Sequence, residues 1–129
     1  MNQFEKTLKS EKFAIDIIAK FLKIDRGCFF HNTRYKGDSC VDFTIWGMKF
    51  DVKYSNPVFI NKNKMKKIWD FDLRNKTNYC DMIVLVGMKK SVPVSVFFVP
   101  ENKTPKRHIR VSIKGFSKWH SYRIWNNKM

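Results

Sequence analysis

Residues 41–53 read Val-Asp-Phe-Thr-Ile-Trp-Gly-Met-Lys-Phe-Asp-Val-Lys, and the way they alternate decides the fold. Two β-prone runs, 41–46 and 48–54, flank Gly47 and read as a hairpin. With Gly47 and Met48 at the tip, Trp46 faces Lys49, Thr44 faces Asp51 and Asp42 faces Lys53. The period of two then gathers Asp42, Thr44, Asp51 and Lys53 on one face, with Val41, Phe43, Phe50 and Val52 on the other. In that register Asp42 and Asp51 are diagonal neighbours, roughly 7–8 Å apart at the backbone, and both carboxylates reach one cation. A three-residue loop would shift the register by one and break the alignment.

Upstream of the hairpin, Phe4, Leu8, Ile15, Ile18 and Leu22 recur at steps of three, four or seven, predicting an amphipathic helix over residues 2–23. Asp25-Arg26-Gly27 stops it. Residues 28–31 suit a short strand, and residues 32–38 form a basic loop carrying Arg34 and Lys36. Downstream, Asn56-Pro57 breaks the hairpin strand, and residues 61–67 are basic. Trp69, Phe71 and Leu73 then alternate as in a half-buried strand. Residues 82–86 and 94–99 are continuous apolar runs suited to interior strands, and Ile109, Val111 and Ile113 alternate again. Residues 116–125 read as a short closing helix or an extended edge. The sum is an α/β fold: a mixed sheet, an N-terminal helix packed on it and a short C-terminal helix.

The 129 residues suffice for one domain spanning residues 1–129, and 43% hydrophobic content supports a buried core. Against 26 Lys and Arg stand only 11 Asp and Glu, a formal charge of +15. Coding bias toward Lys and Asn inflates the cations but does not remove the acids, so a polyanion is the expected partner. Cys28, Cys40 and Cys80 are odd in number and contain no C-x-x-C, which argues for a reducing compartment rather than a disulfide framework or a zinc knuckle. No apolar run approaches a membrane span, and a cytoplasmic protein is expected.

Two carboxylates and a lysine on one sheet face need a reason, because Asp is disfavoured in strands and unpaired charge is costly to desolvate. A cross-strand ion pair between Asp42 and Lys53 is one reason. A hard divalent cation is another: magnesium takes one or two carboxylates and leaves its other positions to water and phosphate. Glu11 adds weight to the second, since it falls within the apolar stripe of the helix, where a carboxylate is out of place unless it snorkels to water.

Helix Glu11, Asp42 in Cys40-Val41-Asp42-Phe43, and Asp51-Val52-Lys53 together resemble the PD-(D/E)xK nuclease superfamily, with its restriction-endonuclease-like fold. The likeness covers residues 5–55, and the spacing is similar to that of small homing endonucleases and archaeal Holliday-junction resolvases. Val41 stands where the motif has Pro. The resemblance implies a Mg²⁺-dependent DNA endonuclease, with Mn²⁺ able to substitute and no nucleotide cofactor. Asp42 and Asp51, with the Val52 carbonyl, would be metal ligands, and Lys53 would position or activate the nucleophilic water. Glu11 would hold a water on the metal or a second metal; Glu5 is a rival for that role and Asp38 a weaker substitute for Asp42. Arg34, Lys36, Lys62, Lys64, Lys66 and Lys67 would grip DNA phosphates. A chain this short gains reach and a second cut by forming a homodimer.

Other chemistries find less support. There is no G-x-S-x-G, Walker loop or G-x-G-x-x-G. His31-Asn32 lacks a second metal-ligand set, His108 and His120 read as surface or partner-contact residues, and Cys40 as core. Two further readings stay open: a non-catalytic nucleic-acid-binding module whose acids and lysine form ion pairs, and an RNA nuclease.

Overall fold

The computed structural model describes residues 3–31, 42–59, 67–73, 80–114 and 117–127. Helix α1 (Gln3–Leu22) is followed by strands β1 (Phe29–His31), β2 (Phe43–Ile45), β3 (Met48–Ser55) and β4 (Pro57–Phe59). Then come β5 (Lys67–Asp72), β6 (Met82–Lys89), β7 (Val92–Pro100), β8 (His108–Ser112) and β9 (Arg123–Asn126). The chain is therefore α/β, with a mixed sheet and the expected N-terminal helix. No helix among the described residues is long and apolar enough to cross a membrane.

The helix ends as its sequence requires. Lys23 takes a left-handed conformation (φ 57°), and the Ile24 N–H donates to the Ala19 carbonyl at 3.0 Å, a Schellman-type closure. Asp25 then turns the chain through its side chain, which accepts from the Gly27 N–H at 2.8 Å. Ala14, Ile15, Ile17 and Ile18 of the buried helix face pack on Phe43, Ile45, Phe50, Val52, Val84, Val86, Met88 and Val96.

Instead of one sheet there are two. The larger has the order β1-β2-β3-β6-β7-β9, antiparallel except for the parallel pair β3 and β6; the smaller, β4-β5-β8, is antiparallel throughout. Helix α1 covers one face of the large sheet, and the small sheet covers the other. Its Trp69, Phe71, Ile109 and Val111 meet Ile83, Leu85, Phe97 and Val99. Strand β6 is apolar at nearly every position because both its faces are covered, Val84 and Val86 toward the helix and Ile83 and Leu85 toward the small sheet. Gly87 continues that second face: a Cβ there would come within 2.6 Å of the Trp69 ring, so only glycine lets the indole lie flat on β6. The Trp69 indole N–H donates to the Met88 carbonyl at 2.8 Å.

Three sequence expectations are corrected. Asn56-Pro57 does more than break a strand: Pro57 opens β4 and moves the chain into the second sheet, where an edge position tolerates its missing N–H. The expected short C-terminal helix is a five-residue 3₁₀ segment, Lys118–Tyr122, that leads into edge strand β9. Ser117 and His120 form its capping box, and Trp119 is buried among the small-sheet residues.

The third correction is the hairpin register. The observed partners are Phe43 with Phe50, Thr44 with Lys49 and Ile45 with Met48, so the tip is Trp46-Gly47, one residue earlier than Gly47-Met48. Both tip residues have positive φ, 51° and 83°, the signature of a type I′ turn, whose twist matches that of the flanking strands. The shift changes each partner by two residues, so every side chain keeps its face. It also stacks Phe43 on Phe50, with centroids 4.9 Å apart and ring planes 10° apart.

Candidate functional site

The paired register ends at Phe43 and Phe50, so no ladder pairing holds Asp42 diagonal to Asp51 as the expected register would. Regular pairing stops there. The Asp42 N–H donates to the Phe50 carbonyl at 2.8 Å, and the Val52 N–H donates to Asp42 Oδ2 at 2.6 Å. A strand N–H lies in the plane of its sheet, so the carboxylate that accepts it occupies the place of a missing ladder carbonyl. From the sheet plane Asp42 is reachable from both faces. Because N–H and C=O of one strand residue point to the same side, the Val52 carbonyl is also directed toward Asp42 and away from β6.

The other two acids approach from elements on either side. Glu11, on α1, is only 4% exposed and lies against Asp42, to which its protonated carboxyl donates. Burial, then the charge of Asp42, pushes the Glu11 pKa up to about 9. Asp51, at the centre of β3, is 3% exposed, and burial pushes it up to about 8; Lys53 works against that shift and Asp42 with it. Lys53 Nζ stands 3.5 Å from Asp51 Oδ2. That oxygen is buried and has no hydrogen-bond partner among the described residues.

The backbone under this cluster is pinned at the start of the parallel pair. Asp81 accepts from the Lys49 N–H at 2.8 Å, and its own N–H donates to the Lys49 carbonyl at 2.7 Å. At the other end of β3, the Ser55 hydroxyl donates to the Asn56 carbonyl and accepts from the Asp70 N–H. Asp51 and Lys53 are thus held on a strand fixed at both ends. Neither Asp81 nor Ser55 stands out in the sequence, because their partners lie on other strands.

The structure therefore brings Glu11, Asp42, Asp51 and Lys53 together, with the Val52 backbone beside them. Of the expected phosphate-binding residues, Arg34, Lys36, Lys62, Lys64 and Lys66 lie outside the described residues, as do Asp38, Cys40 and the side chain of Glu5. Lys67 is exposed on the small sheet with its ammonium 5.6 Å from the centre of the Phe59 ring. His108 and His120 are bound within the chain instead of being free surface groups. His108 Nδ1 lies 2.8 Å from Asp70, and His120 Nδ1 accepts from the Ser117 N–H at 2.9 Å.

The donor set fits a hard divalent cation. All the side-chain donors are oxygens, one of them is buried without a hydrogen-bond partner among the described residues, and burial holds two neighbouring acids toward the protonated form that a cation would displace. No cluster of three or more His, Cys, Asp or Glu among the described residues is arranged to hold a metal by itself. Magnesium commonly needs only one or two carboxylates from the protein. Comparisons with known protein families, curated proteins and solved structures find no match to this chain.

Proposed function

We propose that the chain is a metal-dependent nuclease of the restriction-endonuclease-like type, cutting DNA at a specific sequence or at a branched structure. The observation that carries this is the buried Asp51 Oδ2, which has no hydrogen-bond partner among the described residues and lies beside Lys53 and Asp42, in a chain of net charge +15. Asp42, Asp51 and the Val52 carbonyl are the groups that hold a Mg²⁺ or Mn²⁺ ion, with Glu11 at the edge of the set. The ion supplies Lewis-acid stabilisation of charge on the scissile phosphate. Lys53, whose side chain keeps 21% of its exposure, donates to the attacking water and offsets charge developing on the phosphate. Asp42 also fixes the β3 backbone, and Glu11 takes up or releases a proton according to the charge beside it. A homodimer provides the second cut that a break in both strands requires.

One observation favours a second reading, a nucleic-acid-binding module without catalysis. Asp42 already has the Val52 N–H as partner, and Asp51 already has Lys53, so both acids have a structural use. Incubating wild type and Asp51→Ala with supercoiled plasmid, a four-way junction and single-stranded RNA, in Mg²⁺ or in EDTA, separates the readings. The nuclease reading expects cutting in Mg²⁺ only, lost in the variant, with the substrate cut naming the class. Equal binding by both proteins with no cutting would give the module the lead.

A further inference from the structure

The hairpin that carries the site ends in a residue that its turn does not want. Trp46 occupies the first central position of a type I′ turn at φ 51°, a left-handed conformation suited to Asn, Asp or Gly and costly for a bulky side chain. It is also 70% exposed, more than any other large hydrophobic residue described. Trp69 and Trp119, by contrast, are buried, and the Trp125 ring packs edge-on against Phe13 at 5.2 Å. Neither the turn nor the core gains from an indole at position 46.

We infer that Trp46 is a stacking platform for an unpaired nucleobase of the substrate strand. This deepens, and rests on, the nuclease reading above. Asp51 lies three residues into β3 from Met48, roughly 10 Å along the strand, and Trp46 sits in the turn just beyond that end. A strand whose phosphate lies at the acids can therefore follow the hairpin to its tip. Exposed Lys49 lies on this path, and its partner Thr44 is beside it. The charge of +15 draws a polyanion, which makes nucleic acid the occupant this exposed ring is expected to meet. An indole stacks on any base without reading its sequence, and only a base free of its own pair offers an open face.

The test is fluorescence anisotropy titration of a labelled 20-nucleotide oligothymidylate and of a fully paired 20-base-pair duplex, in EDTA, across a range of salt. The proteins compared are wild type, Trp46→Asn and Trp46→Phe. Asn suits the turn, so Trp46→Asn is expected to melt no lower than wild type while binding the single strand about ten-fold to a hundred-fold more weakly. Stacking involves no counterion release, so the loss should be a constant factor at every salt concentration, with the slope of log affinity against log salt unchanged. Trp46→Phe should keep most of the affinity, and duplex binding should change little in either variant. Equal single-strand affinity for wild type and Trp46→Asn would overturn the stacking role alone. Absence of binding to either probe by wild type would overturn the nucleic-acid reading with it. A change of oligomeric mass in Trp46→Asn at unchanged affinity would assign the residue to contact between copies, and overturn the proposal.

Discussion

On the nuclease reading, Asp51 is where function and stability oppose each other most directly. Its pKa of about 8 in the fold, against 3.8 in the unfolded chain, means that the folded state binds the proton more tightly. Below about pH 4 both states are protonated and burial carries no ionic penalty. Between there and pH 8 the unfolded chain ionises while the folded one resists, so the Asp51 contribution to stability is present at low pH and lost as pH rises through 8. Asp51→Asn removes this loss. In EDTA the melting temperature of the variant should gain on wild type as pH rises from 5 to 9, and Mg²⁺ should raise the wild-type value alone at pH 8. A difference that does not vary with pH would contradict this assignment of the buried proton. Asp42 separates geometry from charge in another way. Asp42→Asn keeps an acceptor for the Val52 N–H, whereas Asp42→Ala leaves that buried donor unpaired. Urea denaturation should show Asp42→Ala about 1–3 kcal/mol less stable than Asp42→Asn, with neither cutting DNA.

At the scale of strands and helices, local pattern was readable in the sequence and long-range pairing was not. The 3.6-residue stripe places α1 to within a residue, and the continuous apolar runs of β6 and β7 announce strands with both faces covered. The hairpin was legible by face but not by register. Ordinary pairing rules oppose Asp42 to Lys53, because like charges across a ladder repel, and that preference is satisfied with Gly47 first in the turn. The observed turn places Gly47 second, gaining the Phe43–Phe50 stack and ending the paired ladder before Asp42. Asp51 and Lys53 were still found, because a change of two residues preserves the face; Glu11 was legible from the helix stripe, and Asp42 sits just past the end of the paired ladder. The division into two sheets was hidden for a different reason: the packing of one sheet on the other uses contacts between distant residues, such as Trp69 over Gly87, 18 positions away in the chain. That contact makes its own prediction. Gly87→Ala drives a methyl group into the indole and should cost about 1–3 kcal/mol in urea denaturation. Combined with Trp69→Leu, which withdraws the ring, it should cost less than the two single losses added together. Strict additivity would mean that position 87 does not press on the Trp69 ring.

For the molecule as a whole, the distribution of charge matters more than its total. Three of the 11 acids converge at Glu11, Asp42 and Asp51 with one of the 26 cations, Lys53, which leaves eight acids elsewhere against 25 cations. On the nuclease reading, a nucleic acid would be attracted by the surface at large and, once Asp51 and Glu11 ionise above about pH 8 to 9, resisted at the one place where chemistry would occur. The attraction is carried by counterion release and weakens with salt by about 0.9 log units per phosphate contact for each tenfold rise in concentration. The resistance comes from a few fixed charges at short range and is screened far less where they are buried. The two should separate in one experiment, anisotropy titration of a duplex in EDTA at pH 9 over 50–300 mM salt. Wild type should fall along a steep line, with a slope of about −4 or steeper. Glu11→Gln and Asp51→Asn should move that line toward tighter binding without tilting it, since each removes a repelling charge and no phosphate contact. A slope shallower than about −2 would detach the basic surface from nucleic-acid binding. Parallel lines with no offset would show that the phosphates never come near the carboxylates, and the acids would then have to be explained by the fold alone.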